Sequence, residues 1–196
     1  KVLTAHFVNQ NILADLEKSI RRIKPKLIWI ETPSNPLLQS VNIKEIVKLA
    51  KIAKALVAAD NTFLSPALQN PLSLGADIVM HSTTKYINGH SDVIGGAVIV
   101  KTKKLHDQIQ EWANATGVAG APFDSYLTLR GLRTLNLRMN THERNAMGLA
   151  KVLSNNKKVG AVYYPGLKSH PSYLIAKNQQ KGFGGMLSFD LKDGLP

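Results

Sequence analysis

The sequence predicts an α/β fold built on a mostly parallel sheet with flanking helices. Four short apolar runs in the first half are typical of strands: residues 26–30, 56–59, 76–81 and 96–100. Helical patterns or long connections separate these runs, as in βαβ units. Polar residues directly follow three of the runs, where an α/β sheet places its ligands.

The chain begins with a predicted helix and strand. Residues 11–23 alternate at helical spacing, with Asn11 as the expected N-cap and Pro25 as the stop. Residues 26–30 are apolar with a β-branched bias, which predicts a buried strand. Pro33 and Pro36 then exclude a helix from the following loop.

A second helix is predicted to begin after Asn42. Glu45 lies three residues later, so the pair forms the Asn variant of a capping box. Lysines recur at helical spacing opposite the apolar positions and predict a solvated face: Lys44, Lys48, Lys51 and Lys54.

The second half of the chain changes character. Helices are expected over residues 103–113 and over residues 123–155, the latter broken near Gly131. A strand, a helix and a strand follow, at residues 159–164, 173–180 and 186–191. We therefore expect two parts: residues 1–142 in a large domain and residues 143–196 as the start of a smaller α/β domain.

Composition excludes several classes of protein. Of 196 residues, 44% are hydrophobic and 19% are charged, which excludes disordered and coiled-coil chains. There is no cysteine, and we expect no metal site. No apolar run is long enough for a membrane helix, so we expect no membrane partner and a cytoplasmic location. The net charge of +12 is spread along the chain with only 6% aromatics, so nucleic-acid binding is not expected.

Several polar residues are predicted to meet at the carboxyl edge of the sheet. They are Asn35, Asp60, Ser82, Thr84 and Lys85. Each alone has an ordinary explanation, as a turn residue, a cap or a solvated lysine. Together they supply an amine, hydroxyls and a carboxylate, which are the groups that a pyridoxal-phosphate site requires.

Two other classes of function remain open at this point. Ser82 and Lys85 form a Ser-x-x-Lys pattern, as in penicillin-binding proteins. That chemistry needs both residues on one helical turn, whereas here an apolar strand leads directly into Ser82. A non-catalytic basic binding module is the second alternative.

Three ordered motifs resemble the cystathionine and methionine-metabolism family of fold-type I pyridoxal-phosphate enzymes. They are residues 31–36 (ETPSNP), 60–63 (DNTF) and 81–90 (HSTTKYINGH). The resemblance implies pyridoxal phosphate held as a Schiff base on Lys85. It also implies that Asp60 pairs with the pyridine nitrogen and that Ser82 and Thr84 bind the phosphate. Thr62 would lie near the ring, and Asn35 would help to place the ring and the substrate.

The resemblance also implies a reaction and an assembly. Residues 61–72, 112–118, 123–135 and 179–189 are similar to family members that join an O-acylated homoserine to cysteine by γ-replacement. Residues 164–171 are also similar to members that catalyse γ-elimination from cystathionine or methionine, which is the alternative. Family members are about twice this length and form homotetramers of dimers that share active sites. We therefore expect this chain to be a piece of a longer enzyme and to be inactive in isolation.

Overall fold

The computed structural model describes residues 3–192 and 194 and confirms the α/β class. The strands are β1 (Leu27–Glu31), β2 (Leu56–Asp60), β3 (Ile78–Ser82), β4 (Gly96–Val100), β5 (Val159–Tyr163) and β6 (Ser188–Leu191). The helices are α1 (Leu13–Ile23), α2 (Ile43–Ala50), α3 (Ser65–Leu68), α4 (Lys103–Thr116), α5 (Pro122–Leu132), α6 (Leu135–Ser154) and α7 (Tyr173–Gln179).

The main sheet has the strand order β1-β2-β3-β4. Strands β1, β2 and β3 are parallel, while β4 runs antiparallel to β3. The sheet is therefore mostly parallel, as predicted, and the carboxyl ends of three strands lie at one edge. The predicted strand at residues 26–30 is present one residue later, but it is not fully buried. Ile28 and Ile30 lie in the core, whereas Trp29 points to the other face and is 50% exposed.

Helix α1 ends where it was predicted to end, but its N-cap is not the predicted residue. Lys24 takes a left-handed conformation (φ 48°) directly before Pro25 and ends the helix. The prediction that Asn11 is the N-cap is wrong, because the cap position is Ile12 and no side chain bonds there. Asn11 instead donates its side-chain amide to Gln39 Oε1 at 2.6 Å, since this long-range partner competes with the local cap.

The cap of helix α2 confirms its prediction. Asn42 Oδ1 accepts a hydrogen bond from the Glu45 backbone N–H at 3.2 Å, which satisfies a free donor of the first turn. The lysine face of this segment is exposed at Lys44, Lys48, Lys51 and Lys54. Ile43 and Ile46 on the opposite face are fully buried against β1 and β2.

The long helical stretch of the second half is divided as expected, with the break slightly later than Gly131. Helix α5 ends at Leu132, and α6 begins at Leu135. Strands β5 and β6 then pair antiparallel in a separate two-stranded sheet. In the described part of the chain, no helix is long and apolar enough to cross a membrane.

The segment that contains α7 packs against the loop that follows β1. We call residues 32–41 the Asn35 loop. Ser172 Oγ accepts from the Ser40 N–H at 2.8 Å, and His170 Nε2 lies 3.1 Å from the Leu37 carbonyl oxygen. Gln179 Nε2 donates to the Val41 carbonyl at 3.1 Å. The Asn35 loop is thus held by residues more than 130 positions away.

Candidate active site

Polar groups follow three neighbouring parallel strands at one edge of the main sheet. Glu31 ends β1, Asp60 ends β2 and Ser82 ends β3. Glu31 is the register partner of Asp60, and Asp60 is the register partner of Met80. The carboxyl ends of these three strands therefore lie side by side, at the edge where an α/β sheet forms a ligand crevice.

The Asp60 carboxylate is half-buried and oriented by its own turn. Its Oδ1 accepts a hydrogen bond from the Thr62 N–H at 2.9 Å. Its charge also acts on its neighbours. Burial, and then the charge of Asp60, raise the pKa of Glu31. Burial lowers the pKa of His81, and the Asp60 charge partly opposes this.

Thr62 joins the ends of β2 and β3. Its Oγ1 accepts a hydrogen bond from the Ser82 backbone N–H at 2.8 Å. The Ser82 hydroxyl takes no part in this link. Since Ser82 is the last residue of β3 and a turn follows it, Ser82 and Lys85 do not lie on a common helix. The helical setting of a Ser-x-x-Lys nucleophile is therefore not present at these residues.

Lys85 lies in a tight turn that directly follows β3. We call residues 83–89 the Lys85 turn. The Lys85 N–H donates to the Ser82 carbonyl at 3.2 Å, and the Gly89 N–H donates to the Lys85 carbonyl at 2.8 Å. Thr84 Oγ1 accepts from the Gly95 N–H at 3.0 Å, which ties the turn to the segment before β4. The Lys85 side chain itself is exposed.

A cavity of about 1040 Å³ opens above this turn. Three predicted residues line it, namely Asn35, Thr84 and Lys85. Asp60, Thr62 and Ser82 are not among its lining residues, although Phe63, which follows Thr62, is one of them.

Other lining residues were not predicted as site residues. They include Phe63, Tyr86, Asp124, His142 and Met186. Phe63 and Tyr86 adjoin predicted site residues. Their position within motifs 60–63 and 81–90 could have identified them as residues of the site. His142 comes from α6 and carries no local motif; its ring lies 5.2 Å from that of Tyr86.

The groups present fit pyridoxal phosphate. The cavity, at about 1040 Å³, lies at the upper end of the range of about 300–1,000 Å³ that is typical of small-ligand sites. It exposes a primary amine, Lys85, that can bind an aldehyde, and a hydroxyl, Thr84. Asp60 offers a carboxylate for a protonated ring nitrogen at the adjoining strand end.

Comparison with known proteins identifies a family. The model of the Cys/Met metabolism PLP-dependent enzymes matches residues 1–195. A cystathionine gamma-synthase of Escherichia coli is 55% identical over 168 residues, which are 86% of this chain and 44% of that protein. A cystathionine beta-lyase of Coxiella burnetii is 53% identical over 173 residues, which are 88% of this chain and 45% of that protein.

A solved structure has the same fold. The cystathionine gamma-lyase of Lactobacillus plantarum, complexed with L-serine, superposes with a TM-score of 0.91 at 46% identity. The similarity covers 94% of this chain and 48% of that one. The chain thus spans about half the length of the relatives that it matches.

Proposed function

The chain belongs to the Cys/Met metabolism PLP-dependent enzyme family, and on this premise we propose that it is part of an enzyme that makes cystathionine by γ-replacement. The substrates are an O-acylated homoserine and cysteine. The observation that carries the proposal is Lys85, an exposed amine in a cavity beside a half-buried carboxylate, in a chain 55% identical to a cystathionine gamma-synthase.

The proposed roles follow from the position of each side chain. Lys85 Nζ would bind the aldehyde carbon of pyridoxal phosphate, and Asp60 would keep its ring nitrogen protonated. The hydroxyls of Ser82 and Thr84 would bind the phosphate. Thr62 would lie near the ring, and Asn35, which lines the same cavity, would orient the ring and the substrate carboxylate.

The proposed reaction forms a bond between the cysteine sulfur and the γ carbon of the homoserine moiety. The γ carbon–oxygen bond breaks, and the acyl group leaves as a carboxylate. When bound, pyridoxal phosphate supplies the electron sink that makes the α proton acidic. Lys85 Nζ takes the proton from the α carbon and moves protons between the carbons of the substrate. Because a lyase needs the same proton transfers, these residues support both outcomes.

A γ-elimination activity is the second candidate, and the similarity to the Lactobacillus plantarum gamma-lyase favours it. Mixing the enzyme with an O-acylated homoserine and cysteine separates the two. Replacement predicts cystathionine faster than keto acid and ammonia, whereas the reverse order would select the lyase.

The cofactor assignment is tested without turnover. The enzyme is incubated with pyridoxal phosphate, reduced with borohydride and digested. We expect a pyridoxyl group on the peptide with Lys85 and none in Lys85→Ala. Lys101→Ala, which removes another exposed lysine, is the control and should label like the wild type. A cofactor-saturated wild type without label on Lys85 would refute the assignment.

We also propose the division into two domains at residues 142 and 143. Two facts support it. The core cluster of Ala146, Ala150 and Tyr164 uses only residues beyond 142, and the cluster around Ile43 and Ile46 uses only residues before it. Helix α6 runs through the boundary and would join the two parts.

The proposed assembly is a homotetramer of dimers that share active sites, in the cytoplasm. Large apolar side chains on α4, α5 and α6 support burial against other subunits. They are 61–71% exposed in the single chain: Trp112, Phe123, Tyr126, Leu129 and Leu137. Light scattering of the purified enzyme tests the number of subunits.

A further inference from the structure

Arg138 of α6 directs its guanidinium at backbone carbonyls rather than at a carboxylate. Its Nη1 donates to the Tyr86 carbonyl at 2.7 Å, and its Nη2 donates to the Ile87 carbonyl at 3.4 Å. Nη2 also donates to the Gly131 carbonyl at 2.8 Å, and Nε donates to Thr134 Oγ1 at 3.1 Å. The planar fork of arginine allows one side chain to serve these acceptors together.

The acceptors belong to two segments that the sequence separates. Tyr86 and Ile87 directly follow Lys85 in the Lys85 turn, about 50 positions before Arg138. Gly131 and Thr134 lie at the junction of α5 and α6. Within residues 3–192 and 194, the ion pairs of the chain do not include Arg138. The half-buried cation is therefore used to join the Lys85 turn to this junction.

Two glycines permit the close contact. A Cβ atom on Gly131 would lie 2.2 Å from the Asn88 carbonyl oxygen. Gly89 has φ +73°, and a Cβ there would lie 2.0 Å from Arg138 Nη1. The Lys85 turn thus lies directly against the end of α5 with no room for a side chain on either glycine.

We propose that Arg138 is the positioning residue for Lys85: by holding the Tyr86 and Ile87 carbonyls, it fixes the turn that presents the Lys85 amine to the cavity. Arg138 is not among the residues that line the cavity, so its proposed effect on Lys85 passes through this turn. The proposal rests on the proposed function for the role of Lys85, but the clamp itself can be tested separately.

The first test is amide hydrogen exchange in the enzyme that contains this chain. Three variants are compared. Arg138→Met removes the guanidinium, and Arg138→Lys replaces it by one ammonium group of the same charge. Arg144→Met is the control and removes an exposed arginine of the same helix. The Asn88 N–H donates to Thr83 and the Gly89 N–H to Lys85, so both report on the turn. We expect exchange at least about tenfold faster at these amides in Arg138→Met, an intermediate rate in Arg138→Lys, and the wild-type rate in Arg144→Met.

The same samples contain an internal reference. Peptides from β5 and β6 should exchange at the wild-type rate in every variant, because Arg138 makes no bond there. Unchanged exchange in the turn would overturn the proposal. An equal increase in β5 and β6 would also overturn it, because Arg138 would then stabilise the whole fold. Failure of Arg138→Met and Arg138→Lys to fold would lead to that same conclusion.

The second test asks whether the clamp affects Lys85. At subsaturating pyridoxal phosphate, borohydride should trap at least about tenfold less label on Lys85 in Arg138→Met, with partial rescue in Arg138→Lys. Equal labelling would overturn the positioning role. If even the wild type takes no label on Lys85, the proposed function fails, and hydrogen exchange alone decides whether the clamp exists.

Discussion

Replacement of Gly131 by alanine sets two opposite effects against each other. Gly131 is the second-last residue of α5, where alanine is favoured over glycine by at most about 1.0 kcal/mol. The new Cβ, however, would lie 2.2 Å from the Asn88 carbonyl oxygen and 2.8 Å from that of Ile87. Since carbon and oxygen atoms rarely approach within 3.0 Å, the Lys85 turn must move by about 1 Å.

The cost of that movement decides whether Gly131→Ala stabilises or destabilises the protein. Overpacking of this kind costs typically about 1–3 kcal/mol. Moving the Ile87 and Tyr86 carbonyls also weakens their bonds to Arg138, and a hydrogen bond to a charged group contributes about 1.5–3 kcal/mol. Taken together, these two losses exceed the gain in helix propensity. We expect Gly131→Ala to lower the free energy of unfolding by about 1–3 kcal/mol.

Urea unfolding followed by circular dichroism measures the change. Gly148→Ala is the matched control, because Gly148 lies inside α6 and a Cβ there would meet nothing within 4 Å. The control should stabilise the protein by up to about 1 kcal/mol. A Gly131→Ala variant as stable as the wild type would refute the reasoning, because the Lys85 turn would then not be in firm contact with α5.

Two further predictions concern His170 and Asp60. Burial lowers the pKa of His170, so the unfolded chain binds the proton more readily, and stability is lost as pH falls below about 6.5. His170→Gln should therefore reduce the fall in Tm between pH 7.5 and pH 5.0. The contribution of His81 to that fall should remain. A fall in Tm equal to that of the wild type would contradict the prediction. Asp60→Asn keeps an acceptor for the Thr62 N–H but removes the charge, so we expect pyridoxal phosphate to bind at least about tenfold more weakly at near-normal Tm. Asp77→Asn is the control, because the Asp77 carboxylate likewise accepts a backbone N–H, that of Val57. If Asp60→Asn and the wild type bind pyridoxal phosphate with equal affinity in equilibrium dialysis, the role of Asp60 is refuted.

Local patterns account for the parts of the fold that were predicted. The strand ends at Asp60 and Ser82 follow from short apolar runs, and the Asn42 cap follows from a pair of residues three positions apart. The one incorrect cap has a different cause. Asn11 could bond to its own helix, but Gln39, 28 positions away, takes its side chain instead.

The wall of the site could not be predicted in the same way. His142 and Arg138 lie in α6 beyond the stretch 123–135 that resembles the family, and their importance depends on which side of α6 meets the Lys85 turn. That orientation is set by packing of Leu135 and Met139 against Leu64 and Leu68 of another segment. A single sequence carries no periodic signal for such a contact between distant segments.

The bonds between the Asn35 loop and the segment around α7 have a consequence for biosynthesis. Ser40 can bond to Ser172 only after the ribosome has made the 132 residues up to it. Leu37 likewise depends on His170. At about 5–20 residues per second, translation needs on the order of 10 s to synthesise the residues between these partners. During this time the main sheet can form on the ribosome while the loop with Asn35 lacks its final partners. One wall of the cavity is therefore completed after the main sheet, which favours occupation of the cavity only once the segment around α7 has been made.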